Sequence, residues 1–427
     1  MIMEYLLTSI FIILFALVIW KWKWFHDDRV KKYIFISLFI IKAAAGIFAG
    51  ELYKYKYGGG DQFAYFSDSK ILTNSFYTSP SDFLSMLVGS MEDKIFAEQH
   101  GLMEGWTNAD VVYNDNRTII RLHAIIGLIS LGYFNVHVVF FAFLSMLGLM
   151  GIYKSARLLT DQNPMLLIGA VFLAPGVLFW CSMASKESLL IFTMGMFLYH
   201  CIRLLTISKS TWNMAGMFLA GFLFIHIKAY FLILITPCLF AFTWVHVSNQ
   251  KFSLIKYSFI YLICTVLFFS VKYILDGVDP VDILVMKRLN FEAFAQASPA
   301  DFGSYIELPE FSSDWGDIIT VSPIAAFSVL TRPYIWESGN ILMILAALEN
   351  LLLLGVAAIG FRFLKWDRMA KNKNLLLFCL SLVITTFILV GLTSPVLGAI
   401  VRYKAPVLPF LLLIPLLITN SYRTKKF

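Results

Sequence analysis

The amino-acid sequence predicts an all-α protein, a polytopic bundle of about 11 to 12 transmembrane helices. Hydrophobic residues make up 59% of the 427 residues, charged residues only 14%, and the mean hydropathy is +0.76. Soluble domains average about 45–50% apolar and about 25% charged residues, so this chain has too little polar surface to fold in water. Residues 1–427 are therefore predicted to form a single transmembrane domain.

Twelve apolar runs approach the roughly 20 residues that a membrane crossing needs. They cover residues 5–20, 34–52, 119–133, 136–153, 164–183, 187–205, 212–227, 230–248, 254–275, 340–360, 375–395 and 403–421. The first 20 residues carry Glu4, lack a basic segment and show no A-x-A-like cleavage site, so we interpret the first run as a retained span and not as a cleaved signal. Two polar stretches, residues 53–118 and 276–337, are long enough to be large loops carrying short juxtamembrane helices.

The charged residues are sorted between these two stretches and the short connectors. The stretches hold 19 of the 27 acidic residues but only 8 of the 34 basic ones. The other bases cluster in short connectors, chiefly residues 21–32, 154–157, 203–209, 362–373 and 423–426. Because basic connectors face the cytoplasm, residues 53–118 and 276–337 are predicted to be extracytoplasmic loops. The net charge of +7 then reflects topology, and no nucleic-acid partner is expected.

Twelve spans would not place every basic connector on one side of the membrane. The run 119–133 is the weakest candidate because it is short and contains Arg121 and His123. We predict that it is a re-entrant or interfacial helix, which leaves eleven spans, an outside N-terminus and a cytoplasmic C-terminus. The alternative keeps twelve spans and puts residues 53–118 in the cytoplasm, with five bases outside.

The first candidate site follows the second apolar run. Three successive glycines, residues 58–60, allow a tight turn, after which Asp61 is predicted to cap a helix. Tyr65 and Asp68 lie one and two turns further along the same helix face. A carboxylate at the membrane surface suits a general base acting on a hydroxyl group. The alternative is that Asp61 only caps the helix.

Two motifs carry cations that suit a phosphate ligand. Ser185 and Lys186 offer a hydroxyl and an ammonium between two predicted spans, unless Lys186 pairs with Glu187 in the same turn. The second motif, which opens the last span, is Arg402-Tyr403-Lys404. Its alternative role is snorkelling to lipid head groups.

Further charged residues lie beside or within the apolar runs, where an ionisable group is a functional candidate by default. Lys228 and Arg332 are predicted to face outward and to form a basic patch with Lys186, Arg402 and Lys404, suited to an anionic lipid head group. Lys42 and Glu349 fall inside runs, and Glu349 is expected either to meet one of the cations or to hydrogen-bond Asn350.

Several function classes have no support in the sequence. The five cysteines lie in apolar runs without a C-x-x-C pair, and the seven histidines show no ligand spacing, so no metal-ligating residues are predicted. No Gly-x-Ser-x-Gly elbow or Walker motif is present, which disfavours serine hydrolases and ATPases.

The order of these motifs resembles the membrane-embedded C-type glycosyltransferase superfamily. The resemblance lies in Gly60-Asp61-Gln62 after an early span and in Arg402-Tyr403-Lys404-Ala405-Pro406 at the start of a late one. Residues 112–153, 175–190 and 327–350 are also similar to uncharacterised membrane proteins found with polysaccharide glycosyltransferases, especially in Bacteroidetes-like genomes. The resemblance implies a place in the bacterial inner membrane, with the active site on the periplasmic side, and a role in cell-envelope polysaccharide biosynthesis.

The resemblance implies an enzyme that moves a sugar from a polyprenyl-phosphate donor to a glycan, lipid or protein acceptor. Asp61 would be the catalytic base, and Tyr65 and Asp68 would contact substrate. The donor would be bound by Ser185, Lys186, Lys228, Arg332, Arg402, Tyr403 and Lys404. The chain has Asp61-Gln62 where many members carry an acidic pair, which leaves a divalent metal open. The alternatives are an O-antigen or exopolysaccharide polymerase or ligase that uses an undecaprenyl-pyrophosphate-linked glycan, and a lipid or glycan transporter.

Overall fold

The structure is a computed structural model that describes residues 2–89, 103, 106, 115–207, 209–275, 277–297, 305–306 and 314–419. Across these ranges the chain is helical, and its extended pairings are two isolated bridges, Asp27 with Val30 and Tyr305 with Val396. The predicted all-α class is confirmed. Nine helices of the described ranges are long and apolar enough to cross a membrane, as expected of a multi-pass membrane protein. The number of crossings stays a prediction.

Eighteen α-helices are described. The first nine are α1 (Ile2–Lys21), α2 (Lys32–Lys56), α3 (Asp61–Thr78), α4 (Pro80–Val88), α5 (Asn116–Ser130), α6 (Phe134–Leu159), α7 (Pro164–Phe172), α8 (Pro175–Trp180) and α9 (Lys186–Thr206). The others are α10 (Thr211–Ser248), α11 (Ser253–Ile274), α12 (Pro280–Ala297), α13 (Trp315–Thr331), α14 (Ile341–Arg362), α15 (Trp366–Lys371), α16 (Lys373–Thr393), α17 (Leu397–Lys404) and α18 (Leu408–Ile418). Short 3₁₀ turns lie at Lys23–Phe25, Ile335–Glu337 and Ala405–Val407.

Three predicted spans differ in detail from the helices. The run 164–183 is divided into α7 and α8, because Pro175 cannot donate a backbone hydrogen bond and disfavours helix in the residue before it. The runs 212–227 and 230–248 correspond to two helical segments of α10 that meet at a kink at Lys228, which has the non-helical dihedral angles φ −155° and ψ 82°. Helix α5 has 15 residues, about 22 Å, which is shorter than the roughly 30 Å hydrocarbon core.

The two polar stretches contain helices. Residues 53–118 include α3 and α4, and the rest of the juxtamembrane helix expected over residues 81–98 lies outside the described residues. Residues 276–337 include α12 and the apolar, 17-residue α13. Both polar stretches therefore form helices in their described parts, as well as loops.

The chain divides into two compact units. Unit 1 comprises Met1–Ile152, Leu178–Leu204 and Lys209–Ala229, and unit 2 comprises Tyr153–Val177, Leu205–Ser208 and Tyr230–Phe427. In unit 1, α6 and α9 approach backbone to backbone, since a Cβ atom at Gly148, Gly151 or Gly195 would collide with the main chain of the other helix. Small residues allow such close helix contacts in membrane proteins. This contact sets the position of α9, which carries Lys186 at its start.

In unit 2, apolar side chains join α12, α13 and α16 in one buried cluster. It consists of Val281, Ile318, Ala325 and Leu392. Helix α16 lies close against α13 because Gly391 has no side chain where the Ala325 carbonyl approaches. One face of the 17-residue α13 is thus packed within unit 2, whereas Ile319, Ile324 and Phe327 on its other side are exposed.

Candidate functional site

The glycine turn before α3 has the geometry that the sequence predicts. Gly58, Gly59 and Gly60 all have positive φ angles of 68°, 134° and 136°, which side-chain-bearing residues rarely adopt. Gly60 occupies the N-cap position and Asp61 is the first helical residue, so the expectation that Asp61 caps the helix is corrected. A carboxylate in the first turn is favourable to the helix dipole. Asp61 is exposed and accessible from outside the unit.

The other two predicted residues of α3 are buried. Tyr65 retains 7% and Asp68 retains 5% of its exposure. Tyr65 lies beneath Lys186, whose Nζ is 5.5 Å from the centre of the tyrosine ring. Of the predicted substrate contacts, Tyr65 and Lys186 are therefore brought together.

Lys186 forms an ion pair that the sequence analysis missed. Its Nζ donates to Oδ1 of Asp115 across 2.5 Å, and the side chains are 12% and 35% exposed. Asp115 immediately precedes α5. Its position before a predicted helix was the only signal in the sequence that could have indicated a role for this carboxylate. Ser185 is buried, and its hydroxyl points to the Trp180 carbonyl at 3.5 Å.

Lys228 and Glu187 form a second, more deeply buried ion pair. Lys228 Nζ donates to Glu187 Oε1 across 3.0 Å, and the side chains are 6% and 1% exposed. The alternative pairing of Lys186 with Glu187 is therefore not what the structure has, because each of the two residues pairs elsewhere. Lys186 also interacts electrostatically with both members of this pair.

A third ammonium supports the segment before α9. Lys42, on α2, retains 1% of its exposure and donates to the Cys181 carbonyl at 2.6 Å and to Ser182 Oγ at 3.0 Å. A charged residue inside an apolar run was the signal for this contact. Three ammonium groups, Lys42, Lys186 and Lys228, thus gather around residues 181–187 with the carboxylates of Asp115 and Glu187.

Two buried histidines reach the same segment from α5 and α6. His123 Nδ1 and His137 Nδ1 are 2.9 Å apart, His137 Nε2 is 2.7 Å from Ser130 Oγ, and His123 Nε2 is 3.4 Å from the Ala184 carbonyl. A carbonyl only accepts, so Nε2–H of His123 donates to Ala184 and Nδ1–H of His137 donates to His123. Burial lowers the pKa of His123 to about 3, so its imidazole is neutral. Because the histidines are scattered in the sequence, their spacing did not predict this series of hydrogen bonds.

The last predicted motif lies in unit 2, where Lys404 is almost completely buried. Its Nζ donates to Asn350 Oδ1 at 2.7 Å and to the carbonyls of Val329 and Arg332 at 3.1 and 3.2 Å. These bonds use all three N–H donors of the ammonium. Lys404 therefore ties the end of α13 to α14 and α17.

Glu349 accepts a hydrogen bond from a backbone N–H and lies within electrostatic range of a cation. Its Oε1 accepts from the Gly176 N–H at 2.6 Å, and it interacts electrostatically with Lys404. The direct hydrogen bond to Lys404 is made by Asn350, whose Nδ2 also donates to the carbonyls of Thr331 and Pro333. Of the two expectations for Glu349, the one that places it near a cation matches its electrostatic interaction with Lys404.

The remaining predicted residues of unit 2 lie nearer its surface. Arg332 is 27% exposed, and its Nε is 3.4 Å from Glu337 Oε1. Arg402 is half-buried, and the half-buried Tyr403 meets Phe291 edge to face with ring centres 6.3 Å apart. Arg332 shares a contact with Lys404 through its backbone carbonyl.

No protein-family model, no curated protein and no solved structure matches this chain. The chemistry of the site therefore follows from its own residues.

In unit 1 those residues favour binding of an anion. The ammonium groups of Lys42, Lys186 and Lys228 outnumber the carboxylates of Asp115 and Glu187, and Asp115 is the most exposed of these pairing groups. A phosphate that replaces Asp115 at Lys186 would gain a charge-assisted hydrogen bond. Among the described residues there is no group of three His, Cys, Asp or Glu side chains suited to a metal ion.

Proposed function

We propose that the chain is an integral membrane glycosyltransferase that moves a sugar from a polyprenyl-phosphate donor to a glycan, lipid or protein acceptor. The enzyme works on the periplasmic face of the bacterial inner membrane. The observation that supports this proposal is the cation cluster at the start of α9, where Lys186 lies over Tyr65 and beside the Lys228–Glu187 pair.

The donor phosphate binds at Lys186. Its ammonium is the least buried of the three, and its partner Asp115 is 35% exposed and able to exchange with a ligand. Lys228 stays paired with Glu187 and adds a second positive charge close to the phosphate. Desolvated cations of this kind stabilise the negative charge that develops on a leaving group.

Asp61 acts as the general base. It takes the proton of an acceptor hydroxyl while the hydroxyl oxygen forms a bond to the anomeric carbon of the sugar. The bond from that carbon to the phosphate oxygen breaks, and its electron pair leaves with polyprenyl phosphate. Asp61 suits this role because it is exposed at a helix start that the glycine turn holds in place.

The residues of unit 2 that were predicted to bind the sugar donor fall into two groups. Arg332, Arg402 and Tyr403 stay predicted substrate ligands. Lys404 is assigned to positioning, since its donors are used in holding the Arg332 carbonyl and Asn350.

The test is transfer of a radiolabelled hexose from undecaprenyl phosphate by the protein reconstituted in nanodiscs, with a glycan-rich membrane extract as acceptor. Lys186→Gln, Asp61→Asn and Arg402→Ala are each expected to lower the rate about 100-fold or more, the usual scale for an acid–base or electrostatic group. Lys365→Gln, at an exposed lysine, is the matched control. Full activity of both Asp61→Asn and Arg402→Ala would contradict the mechanism. Transfer only from a pyrophosphate-linked oligosaccharide would favour the polymerase or ligase.

A transporter is the second candidate function. Lys42, Glu349 and Lys404 are at most 5% exposed. Lys42 and Glu349 lie within the membrane-length helices α2 and α14, and Lys404 lies within the helical stretch Leu397–Ile418, which is also long enough to cross a membrane. Buried charges in such segments mark substrate and ion pathways. Flux of a lipid-linked glycan across proteoliposomes that Glu349→Gln abolishes, in a protein without transferase activity, would favour this function.

A further inference from the structure

A cavity of about 400 Å³ lies in unit 2, and none of the residues discussed so far lines it. Its volume falls in the range of roughly 300–1,000 Å³ that is typical of small-molecule sites. The wall combines apolar side chains, such as Leu158, Phe242 and Leu375, with polar ones. The polar lining includes His246, Asn249, Gln250 and Lys371.

Three hydrogen-bond acceptors in or beside this cavity already have donors. Asn249 Oδ1 accepts from the Lys251 N–H at 3.0 Å, and Asn374 Oδ1 accepts from the Tyr257 hydroxyl at 3.1 Å. The carboxylate of Asp161 accepts from Arg368 at 2.8 Å and from Lys371 at 3.0 Å.

Two side-chain donors of the lining are also used, because Asn372 Nδ2 and Asn374 Nδ2 donate to the carbonyls of Leu417 and Phe242. The other donors of the lining are less used. Lys371 has three N–H groups and gives one of them to Asp161. The side-chain amide N–H groups of Asn249 and Gln250 and the ring of His246 make no hydrogen bond within the described part of the chain. A ligand that only accepts hydrogen bonds and carries negative charge satisfies such a lining, which describes a phosphate group.

The apolar wall and the location of the cavity further restrict the class of ligand that it can bind. The cavity lies at the ends of α6, α9 and α10 and at the start of α16, all of which are of membrane length. The ends of such helices lie at the depth of lipid head groups. We propose that this cavity binds the phosphate of an anionic phospholipid, with Lys371, Gln250 and Asn249 on the head group and Leu158, Phe242 and Leu375 against the glycerol and upper acyl chains.

The test measures binding of phosphatidylglycerol to the detergent-solubilised protein by native mass spectrometry. Lys371→Gln removes the charge, and Gln250→Glu adds a carboxylate of nearly the same size. Both positions are exposed, so the fold is expected to persist, which a thermal unfolding scan verifies. Each change should weaken binding about tenfold, as expected for loss of one hydrogen bond to a charged group. Lys365→Gln, an exposed lysine of the same connector that does not line the cavity, should leave binding unchanged.

The outcomes distinguish the source of the phosphate. Competition by phosphatidic acid but not by inorganic phosphate supports a lipid ligand. Binding of inorganic phosphate without phosphatidylglycerol overturns the lipid assignment. Equal binding of phosphatidylcholine, or equal lipid binding by Lys371→Gln, Gln250→Glu and the unaltered protein, overturns the site itself. Because glycosyl transfer is not measured, these outcomes are independent of the proposed enzymatic function.

Discussion

Lys228 donates a hydrogen bond from Nζ to Oε1 of Glu187 across 3.0 Å, and the two side chains keep only 6% and 1% of their exposure. The residues are 41 positions apart. Lys228 is also where α10 departs from helical dihedral angles. The ion pair therefore holds an interrupted turn of α10 against the start of α9.

Breaking this pair on one side should destabilise the protein. Lys228→Met or Glu187→Gln alone is expected to lower the free energy of unfolding by about 3–5 kcal/mol, because the remaining partner is left buried without its counter-charge. The double variant Lys228→Met/Glu187→Gln should recover part of that loss. Reversible unfolding in detergent measures all three variants, and simple additivity of the two losses would contradict the coupling.

His123 predicts a pH dependence of stability. Burial lowers its pKa to about 3, whereas an unfolded histidine has a pKa of about 6.5. Below about pH 6.5 the histidine is protonated in the unfolded chain but stays neutral in the folded chain. The stability contributed by neutral His123 is therefore present at higher pH and is lost as the pH falls. The loss approaches about 1.4 kcal/mol per pH unit.

Thermal unfolding midpoints at about pH 7.5 and about pH 5 measure this dependence. His123→Gln should be less stable at the higher pH and should show a smaller decrease on acidification. His26→Gln, at a half-buried histidine of the connector after α1, is the control and should match the unaltered protein. An unchanged pH dependence in His123→Gln would show that other groups cause it.

The sequence assigned Lys404 to substrate binding, but its hydrogen bonds lead us to expect that replacing it lowers the stability of the protein. Lys404→Met removes hydrogen bonds to Asn350 and to the carbonyls of Val329 and Arg332. Leaving these buried acceptors unpaired is expected to lower the free energy of unfolding by about 3 kcal/mol. Asn350→Ala should have a similar effect, and the two losses should not add because the residues are bonded to each other. If the Lys404→Met protein were as stable as the unaltered protein, the structural role would be contradicted and the prediction that Lys404 binds substrate would be favoured.

The predicted topology is tested by reporters on the polar stretches. A periplasm-active reporter fused after Gly105 should be active, and the same reporter fused after Lys371 should be inactive, because basic connectors stay in the cytoplasm. A cytoplasm-active reporter at the same positions should give the opposite result. A cytoplasmic signal after Gly105 would support the arrangement with twelve spans.

Local patterns of the chain sufficed for part of the fold. Apolar runs predicted an all-helical membrane protein, and the glycines at residues 58–60 predicted a turn that only glycine adopts easily. The division at Pro175 and the helical content of residues 276–337 depend on weaker signals. A proline in an apolar run can lie within a helix, as Pro323 does in α13, so the sequence does not reveal which proline ends one.

The sequence by itself determined that a few charged residues must lie among apolar helices, because lysine and glutamate at Lys42, Lys186, Glu187, Lys228, Glu349 and Lys404 interrupt or border apolar runs. Only the tertiary structure decided their partners. Lys186 pairs with Asp115 and not with its neighbour Glu187, and Lys404 spends its donors on Asn350 and two carbonyls. Hydropathy acts along the chain, whereas a buried charge is stabilised by whichever polar group helix packing brings within hydrogen-bond distance.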